Sequence, residues 1–235
     1  MSLASASSFV GGIKEYMYRG FQQLPLVLAM TSFIFTVTTG SIGHTTMFIG
    51  LVFIMPFCTY IFQNLLNIGN KDNWKRSSID SCNIITDYKS LKTIGYYVNS
   101  DMSNLPSFWL TSVCFFFGYI LTNVYDTMTI PGDLNRPMNY EKRIFTGIFI
   151  TFCSVFVFIL LLFIRFTVMN SCEGITKIAL VISGIFGILS IFIGYILYKF
   201  SIVCGARTSD MLGILSQIIP ASANSPTPTV CLAEN

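Results

Sequence analysis

Long uncharged stretches alternate with short polar segments along this chain. The first stretch, between Arg19 and Lys71, contains no Asp, Glu, Lys or Arg, and three further apolar runs occupy 108–125, 144–169 and 178–200. A helix that crosses a bilayer core about 30 Å thick needs about 20 apolar residues. The pattern therefore predicts an all-α fold, a polytopic transmembrane helical bundle of about five spans, with amphipathic helices at the membrane interface.

The first uncharged segment, 24–66, is too long for a single crossing. One helix of that length, at 1.5 Å per residue, would extend about 63 Å, which is roughly twice the hydrocarbon thickness. Its centre, 38–46, is rich in Gly, Ser and Thr, so we expect a helical hairpin there. The first arm, 24–37, either crosses the membrane or is re-entrant, and the second arm, 47–66, is expected to kink at Pro56.

These patterns divide the chain into successive segments. The predicted organisation is an N-terminal interfacial segment at 1–23, a transmembrane hairpin at 24–66, a polar loop with an amphipathic helix at 67–106, three transmembrane spans with connecting loops at 107–200, and a C-terminal tail at 201–235. Nine of the 14 Lys and Arg residues fall on the side of the N-terminus and the 67–106 loop. Because cytoplasmic loops carry an excess of Lys and Arg, we expect that side to be cytosolic.

Three side chains have the positions expected of interfacial anchors. Trp74 and Trp109 bracket the polar loop at its two membrane-entry points, and Trp is enriched at membrane–water interfaces. Arg165 lies about one helical turn from the end of its span, and a long side chain at that position is expected to reach the interface by snorkelling.

The last span carries small residues at regular intervals. Ser183, Gly187, Ser190 and Gly194 are separated by four, three and four positions, which places them on one face of a helix. Small residues let helices approach closely in lipid. This face is therefore predicted to be a helix-packing surface.

The cysteines and the single histidine offer little chemistry. The chain has seven Cys and one His, and no pair of Cys has the C-x-x-C spacing of a zinc or redox site. Cys204 and Cys231 share the C-terminal segment, so a disulfide between them is possible. His44 is interpreted as a turn residue of the hairpin, and no metal site is expected.

Composition excludes several classes of function. Charged residues make up 11% of the chain, compared with about 25% in a typical soluble domain. The net charge of +3 is spread over several loops, which disfavours nucleic-acid binding. The sequence shows no phosphate-binding glycine loop, Ser-His-Asp set or H-E-x-x-H motif. We therefore predict that the protein is not an enzyme and binds no cofactor.

Two regions carry a resemblance to a known group of proteins. One begins with PSFWL at 106–110 and continues with FFFGY at 115–119, and the other comprises CGARTSDMLGI at 204–214 and PTVC at 228–231. With the spans, these segments resemble uncharacterised multi-pass membrane proteins of nucleocytoplasmic large DNA viruses, over about 70–235. The resemblance implies a protein of the internal virion membrane, beneath an icosahedral capsid.

The expected function is structural. A multi-pass protein of a virion internal membrane, or of an organelle or host endomembrane, would contact the lipid bilayer and anchor capsid or minor capsid proteins through its loops and tail. Homo-oligomerisation remains open. The alternative is an oligomeric channel or transporter, which would place Thr, Ser and Asn on one face of several spans. The spans carry no paired Asp, Glu or Lys near their middles, which argues against a coupled transporter.

Overall fold

The computed structural model describes residues 20–67, 106–129, 137–168 and 177–206. Those residues form helices and no strands, which confirms the all-α prediction. Within this part of the chain, four helices are long and apolar enough to cross a membrane, at Ile42–Leu65, Phe108–Thr129, Ile144–Thr167 and Lys177–Cys204, and a shorter apolar helix occupies Leu24–Thr39. The helices thus have the length and composition of an integral membrane protein.

Six α-helices and three π-helical turns make up most of the described chain. The α-helices are α1 (Leu24–Thr39), α2 (Ile42–Ile49), α3 (Met55–Asn67), α4 (Phe108–Thr129), α5 (Pro137–Phe163) and α6 (Lys177–Ser201). A π-helical turn at Gly50–Ile54 joins α2 to α3, a second at Ile164–Val168 extends α5, and a third at Ile202–Ala206 extends α6. Together α2, the first π-helical turn and α3 form one continuous span.

The predicted hairpin has a much tighter turn than its Gly, Ser and Thr content indicated. Only Gly40 and Ser41 separate α1 from α2, and Gly40 takes the left-handed conformation, with φ of 62° and its N–H bonded to Thr36 O. The hydroxyls around the turn bond back to helix carbonyls, as when Thr45 Oγ1 donates to Ser41 O at 3.0 Å. Such bonds satisfy the side chains inside a helix, so the second arm begins at Ile42.

Helix α1 is the short arm. Its 16 residues correspond to about 24 Å, less than the thickness of about 30 Å of a bilayer core. Within it only Pro25 and Ser32 are buried. The first arm is therefore shorter than the four long spans. Whether it crosses the membrane or is re-entrant stays open, as in the sequence-based prediction.

Pro56 follows the π-helical turn at Gly50–Ile54. Proline has no N–H and its ring displaces the carbonyl four residues earlier, which disturbs the regular ladder. In the turn before it, the N–H of Met55 bonds to Gly50 O, five residues back. A π-helical turn is one of the identifiable sources of a bend in a helix, so it accompanies the proline where we expected a kink.

Helix α4 begins at Phe108, directly after Pro106 and Ser107. Ser107 caps the helix, since its Oγ accepts a hydrogen bond from the N–H of Leu110 at 3.1 Å. Pro106 therefore lies outside the helix. At its other end α4 continues to Thr129, and α5 already starts at Pro137, so both helices extend beyond the apolar runs at 108–125 and 144–169.

Helix α4 is the centre of the bundle. Its most extensive interface is with α6, and it also contacts α1, α3 and α5. Because α5 returns the chain across the bundle, α4 and α6 run parallel. Phe115, Tyr119 and Val124 are fully buried, and they join Met55 and Tyr198 in one apolar cluster.

Several predicted segments fall outside the described residues. These are most of the N-terminal interfacial segment, nearly all of the polar loop with its amphipathic helix, and the tail beyond residue 206. Their structure stays a prediction. The described helices place residue 20 beside the N-terminal end of α4 and residue 206 beyond its C-terminal half, so the two termini of the described chain lie at opposite ends of the bundle.

Candidate functional site

The small-residue face of α6 lies against α4. Ser183, Gly187, Ser190 and Gly194 are all buried, whereas Ile188, on another face of the same helix, is 68% exposed. The structure therefore brings the four predicted packing residues together on the side of α6 that contacts the central helix.

The two backbones touch where glycines lie opposite each other. A Cβ atom on Gly194 would lie 2.5 Å from Phe115 O and 2.9 Å from Tyr119 N. On α4, a Cβ atom on Gly118 would overlap the backbone of Ile191. Only glycine fits this contact, since no flexible side chain could move aside. Helices that approach this closely gain van der Waals contact, which is the main source of association in lipid.

A second feature of the bundle is a buried hydroxyl network around Tyr119. The Tyr119 hydroxyl donates to Gly43 O at 2.8 Å and lies 2.6 Å from Thr46 Oγ1. Ser201 Oγ lies 3.3 Å from the same hydroxyl and donates to Tyr198 O at 2.7 Å. With Thr46 donating to Tyr119, every hydroxyl proton has an acceptor. The network ties α2, α4 and α6 together.

Polar contacts continue along the C-terminal half of α4. Asn123 Nδ2 donates to the Tyr198 hydroxyl at 3.2 Å. About one turn further on, Lys199 Nζ contacts the two carboxylate oxygens of Asp126 at 2.6 and 2.8 Å. Both of these pairs join α4 to α6, so the interface is apolar and closely packed at the glycines and polar towards its end.

Other polar contacts join α3 to the beginning of α4. Thr59 Oγ1 and Thr111 Oγ1 are 3.0 Å apart, and Gln63 Nε2 donates to Pro106 O at 2.9 Å. These bonds hold the second arm of the hairpin against the central helix.

Trp109 and Arg165 occupy positions that differ from the snorkelling expectation. Both side chains are 1% exposed, and the Arg165 guanidinium lies 4.9 Å from the centre of a Trp109 ring. Trp109 Nε1 donates to Phe21 O at 2.7 Å, and the two aromatic rings stack 4.7 Å apart. The prediction that Arg165 extends to the interface is therefore wrong for this structure, because the Trp109 face offers the cation a buried partner.

The remaining predicted residues are placed more simply. Trp74 and Cys231 lie outside the described residues, and Cys204 is exposed, so a Cys204–Cys231 disulfide stays a prediction. His44 lies in α2 and is 6% exposed, stacked on Phe35 with ring centres 5.3 Å apart. It thus lies in the first turn of α2, directly after the hairpin turn at Gly40 and Ser41, whereas we expected it within that turn. Within the described ranges, no group of three His, Cys, Asp or Glu side chains is arranged to hold a metal ion.

Sequence reasoning missed the network around Tyr119. No spacing along the chain singled out Thr111, Ser112, Thr122 and Asn123, yet all four are buried in the bundle. The available signal was their common location in α4, the least apolar of the four long spans. A span that is rich in polar residues is expected at the centre of a membrane bundle, because polar groups avoid lipid.

The chain matches no family model, no curated protein and no solved structure.

Proposed function

We propose that this protein is a structural multi-pass membrane protein that anchors partner proteins through its loops and tail, and that it is neither an enzyme nor a transport protein. The observation that carries the proposal is the Tyr119 network. The Tyr119 hydroxyl on α4 donates to Gly43 O of α2 at 2.8 Å and lies 3.3 Å from Ser201 Oγ of α6, so it joins three helices of the same chain. Bonds of this kind hold a bundle together.

The other polar groups of α4 support the same interpretation. Thr122 Oγ1 and Thr127 Oγ1 donate to carbonyls of their own helix, Gly118 O at 2.7 Å and Asn123 O at 2.8 Å. The Asp126 carboxylate is paired with Lys199. A coupled transporter needs ionisable groups that exchange their partner for an ion or substrate. Here the hydroxyls bond to carbonyls of α4 itself and the Asp126 carboxylate is paired with Lys199, which suits a fixed scaffold.

The proposed location is a virion internal membrane or a host endomembrane. This part of the proposal rests on the resemblance of the 106–119 and 204–231 segments to membrane proteins of large DNA viruses. Capsid or minor capsid proteins are the proposed partners. They would bind the 67–106 loop and the tail, because these segments hold much of the polar sequence outside the spans.

Reconstitution and virion analysis together test this function. Purified protein in liposomes is expected to produce no selective ion or solute flux, and the protein is expected to remain with the membrane when capsids are stripped from virions. Crosslinking before stripping should recover a capsid or minor capsid protein. Selective flux that Thr122→Val abolishes, without any crosslink to a shell protein, would favour the channel. Tyr60→Phe, at an exposed position on α3, is the matched control for the flux assay.

Topology is tested separately. Single cysteines introduced at Ser78 and Ser222 into a Cys-free chain are expected to react from opposite sides of sealed vesicles, because the N-terminus and the 67–106 loop share the side that is rich in Lys and Arg. Reaction of both positions from one side would contradict the proposed arrangement of loop and tail.

A further inference from the structure

A buried charge lies at the end of α5. The Arg165 side chain is 1% exposed and belongs to the π-helical turn that ends this helix. Taking a guanidinium out of water is unfavourable unless another group compensates. Here the Trp109 ring, 4.9 Å away, supplies a cation–π contact, which strengthens when it is shielded from water.

Trp109 also holds a second part of the chain. Its indole N–H donates to Phe21 O at 2.7 Å, and its ring stacks on the Phe21 ring. One side chain of α4 therefore joins the segment that precedes α1 to the end of α5. We refer to Phe21, Trp109 and Arg165 as the Trp109 clasp.

Helix α5 and the π-helical turn after it form a span that is little buried along much of its length. Only 6% of the most apolar window of that span is buried, compared with 72% for α4. Its other contacts include Phe158, whose ring centre is 4.9 Å from that of Phe117, and Gly147, which packs against Met128. Near the end of this span, Leu161, Leu162 and Phe166 also pack against the cluster that contains Trp109, so opening the clasp requires the Arg165 side chain to move and not the whole helix.

Arg165 has a second position within reach. It lies two residues before the end of the apolar span Ile144–Thr167, and an arginine so near a span end can extend its guanidinium to the headgroups. In that position it would leave the Trp109 ring. The same side chain thus has a buried site over an aromatic ring and an accessible site at the membrane surface.

We propose that the Trp109 clasp is a two-state element that anionic phospholipids open. In the closed state Arg165 is buried and presents no surface to lipid, so phosphate groups that carry a net negative charge bind the open state only. A ligand shifts an equilibrium by its difference in affinity for the two states. One basic residue near an anionic leaflet gains about fivefold in occupancy, and we expect a shift of that size in the ratio of open to closed clasps.

The side of the membrane on which the clasp is expected to lie agrees with its opening by anionic phospholipids. The clasp lies at the end of the bundle where residue 20 and the start of α4 meet, which is the end predicted to face the cytosol. Cytoplasmic leaflets carry anionic lipids. The inference does not depend on the proposed structural function, since it concerns the response of the helices to lipid.

Tryptophan fluorescence tests the clasp directly. The chain has two Trp, so Trp74→Phe leaves Trp109 as the only fluorophore. This parent is reconstituted in liposomes of phosphatidylcholine and in liposomes of equal parts phosphatidylcholine and phosphatidylglycerol. A red-shifted emission and stronger acrylamide quenching are expected in the anionic liposomes. Identical spectra and quenching in the two lipids would overturn the proposal.

Two variants of the same parent separate the clasp from a general effect of charged lipid. Arg165→Met removes the charge and leaves an apolar side chain that suits the buried site, so the lipid dependence is expected to vanish. Lys177→Met removes a charge from an exposed position at the same end of the bundle, and the lipid dependence is expected to remain. Persistence of the response in Arg165→Met, or its loss in Lys177→Met, contradicts the role of Arg165.

Arg165→Lys covers the case in which Arg165→Met does not fold. Lysine keeps the charge but lacks the planar group that stacks on an aromatic ring. Trp109 is therefore expected to be more accessible to acrylamide than in the parent already in phosphatidylcholine. Quenching equal to that of the parent in both lipids would show that the guanidinium contact does not hold the clasp closed.

Discussion

Helices α4 and α5 differ strongly in how much of each is buried against the rest of the bundle. In α4, 72% of the most apolar window is buried, and in α5 the corresponding share is 6%. Yet α5 contains the most apolar window of the four long spans and α4 the least apolar. In a soluble protein the most apolar element would be expected at the core, so the order here is reversed.

The reversal follows because a membrane protein is surrounded by lipid and not by water. Lipid chains are as apolar as leucine side chains, so an apolar helix gains little by leaving lipid for the protein interior. Polar side chains gain much more, because in lipid they would lack partners. Helix α4 carries Tyr119, Asn123 and Asp126, each bonded to another helix, whereas α5 exposes Phe145, Phe152 and Phe163. The helix at the centre is therefore the one whose polar side chains bond to other helices, and not the most apolar one.

The largest expected effect comes from adding a side-chain atom at Gly194, where α6 touches α4. Gly194→Ala places a Cβ atom 2.5 Å from Phe115 O, and the helices must separate. We expect the free energy of unfolding to fall by about 1–3 kcal/mol, as measured by denaturation in mixed micelles. Gly184→Ala, on the same helix with nothing within 4 Å of the new Cβ, is the control and should be neutral or stabilising by up to about 1 kcal/mol. Equal effects of the two changes would mean that the face is not a contact.

Removing the Tyr119 hydroxyl is expected to have a smaller effect. Tyr119→Phe keeps the buried ring and deletes the bonds to Gly43 O and Thr46. Hydrogen bonds between membrane helices contribute about 0.6–1.7 kcal/mol, and we expect a loss of stability in that range. Tyr60→Phe, at a position 61% exposed, should leave the unfolding curve unchanged. A cost for Tyr60→Phe as large as that for Tyr119→Phe would refute the role of the network.

The Asp126–Lys199 pair should contribute less again. The two side chains are 19% and 41% exposed, and partly solvated ion pairs typically add about 0.2–1 kcal/mol. A double-mutant cycle with Asp126→Asn and Lys199→Met measures the coupling. It is expected to lie in that range and to decrease with added salt. Additive single changes would indicate that the pair stabilises nothing.

The smallest effect is expected on α5. Phe152 is 69% exposed, so Phe152→Leu exchanges one lipid-facing apolar side chain for another, and stability should change by no more than about 0.5 kcal/mol. The corresponding change in α4 is Phe115→Leu, at a position that is fully buried and packed against Gly50, and it should cost more. A larger cost at Phe152 would reveal a packed surface on α5 and would favour a protein partner over lipid there.

Local patterns account for part of the candidate site. The spacing of Ser183, Gly187, Ser190 and Gly194 identified the face of α6 that the structure places against α4. The hydroxyl network could not be found in this way, since Thr46 and Tyr119 are 73 positions apart. Trp109 and Phe21 are 88 positions apart, and no periodicity within one helix reports such a contact.

The sequence by itself determined that the chain forms helices long and apolar enough to span a membrane, because its uncharged runs have the length that a bilayer core requires. It also determined which face of α6 carries the small residues. Only the tertiary structure decided which helix lies at the centre and whether Arg165 points to Trp109 or to the interface. Hydropathy does not distinguish a lipid-facing residue from a protein-facing one, because both surroundings are apolar. The direction of a long side chain depends on the partners that distant parts of the chain bring to it, and here Trp109 of α4 is that partner.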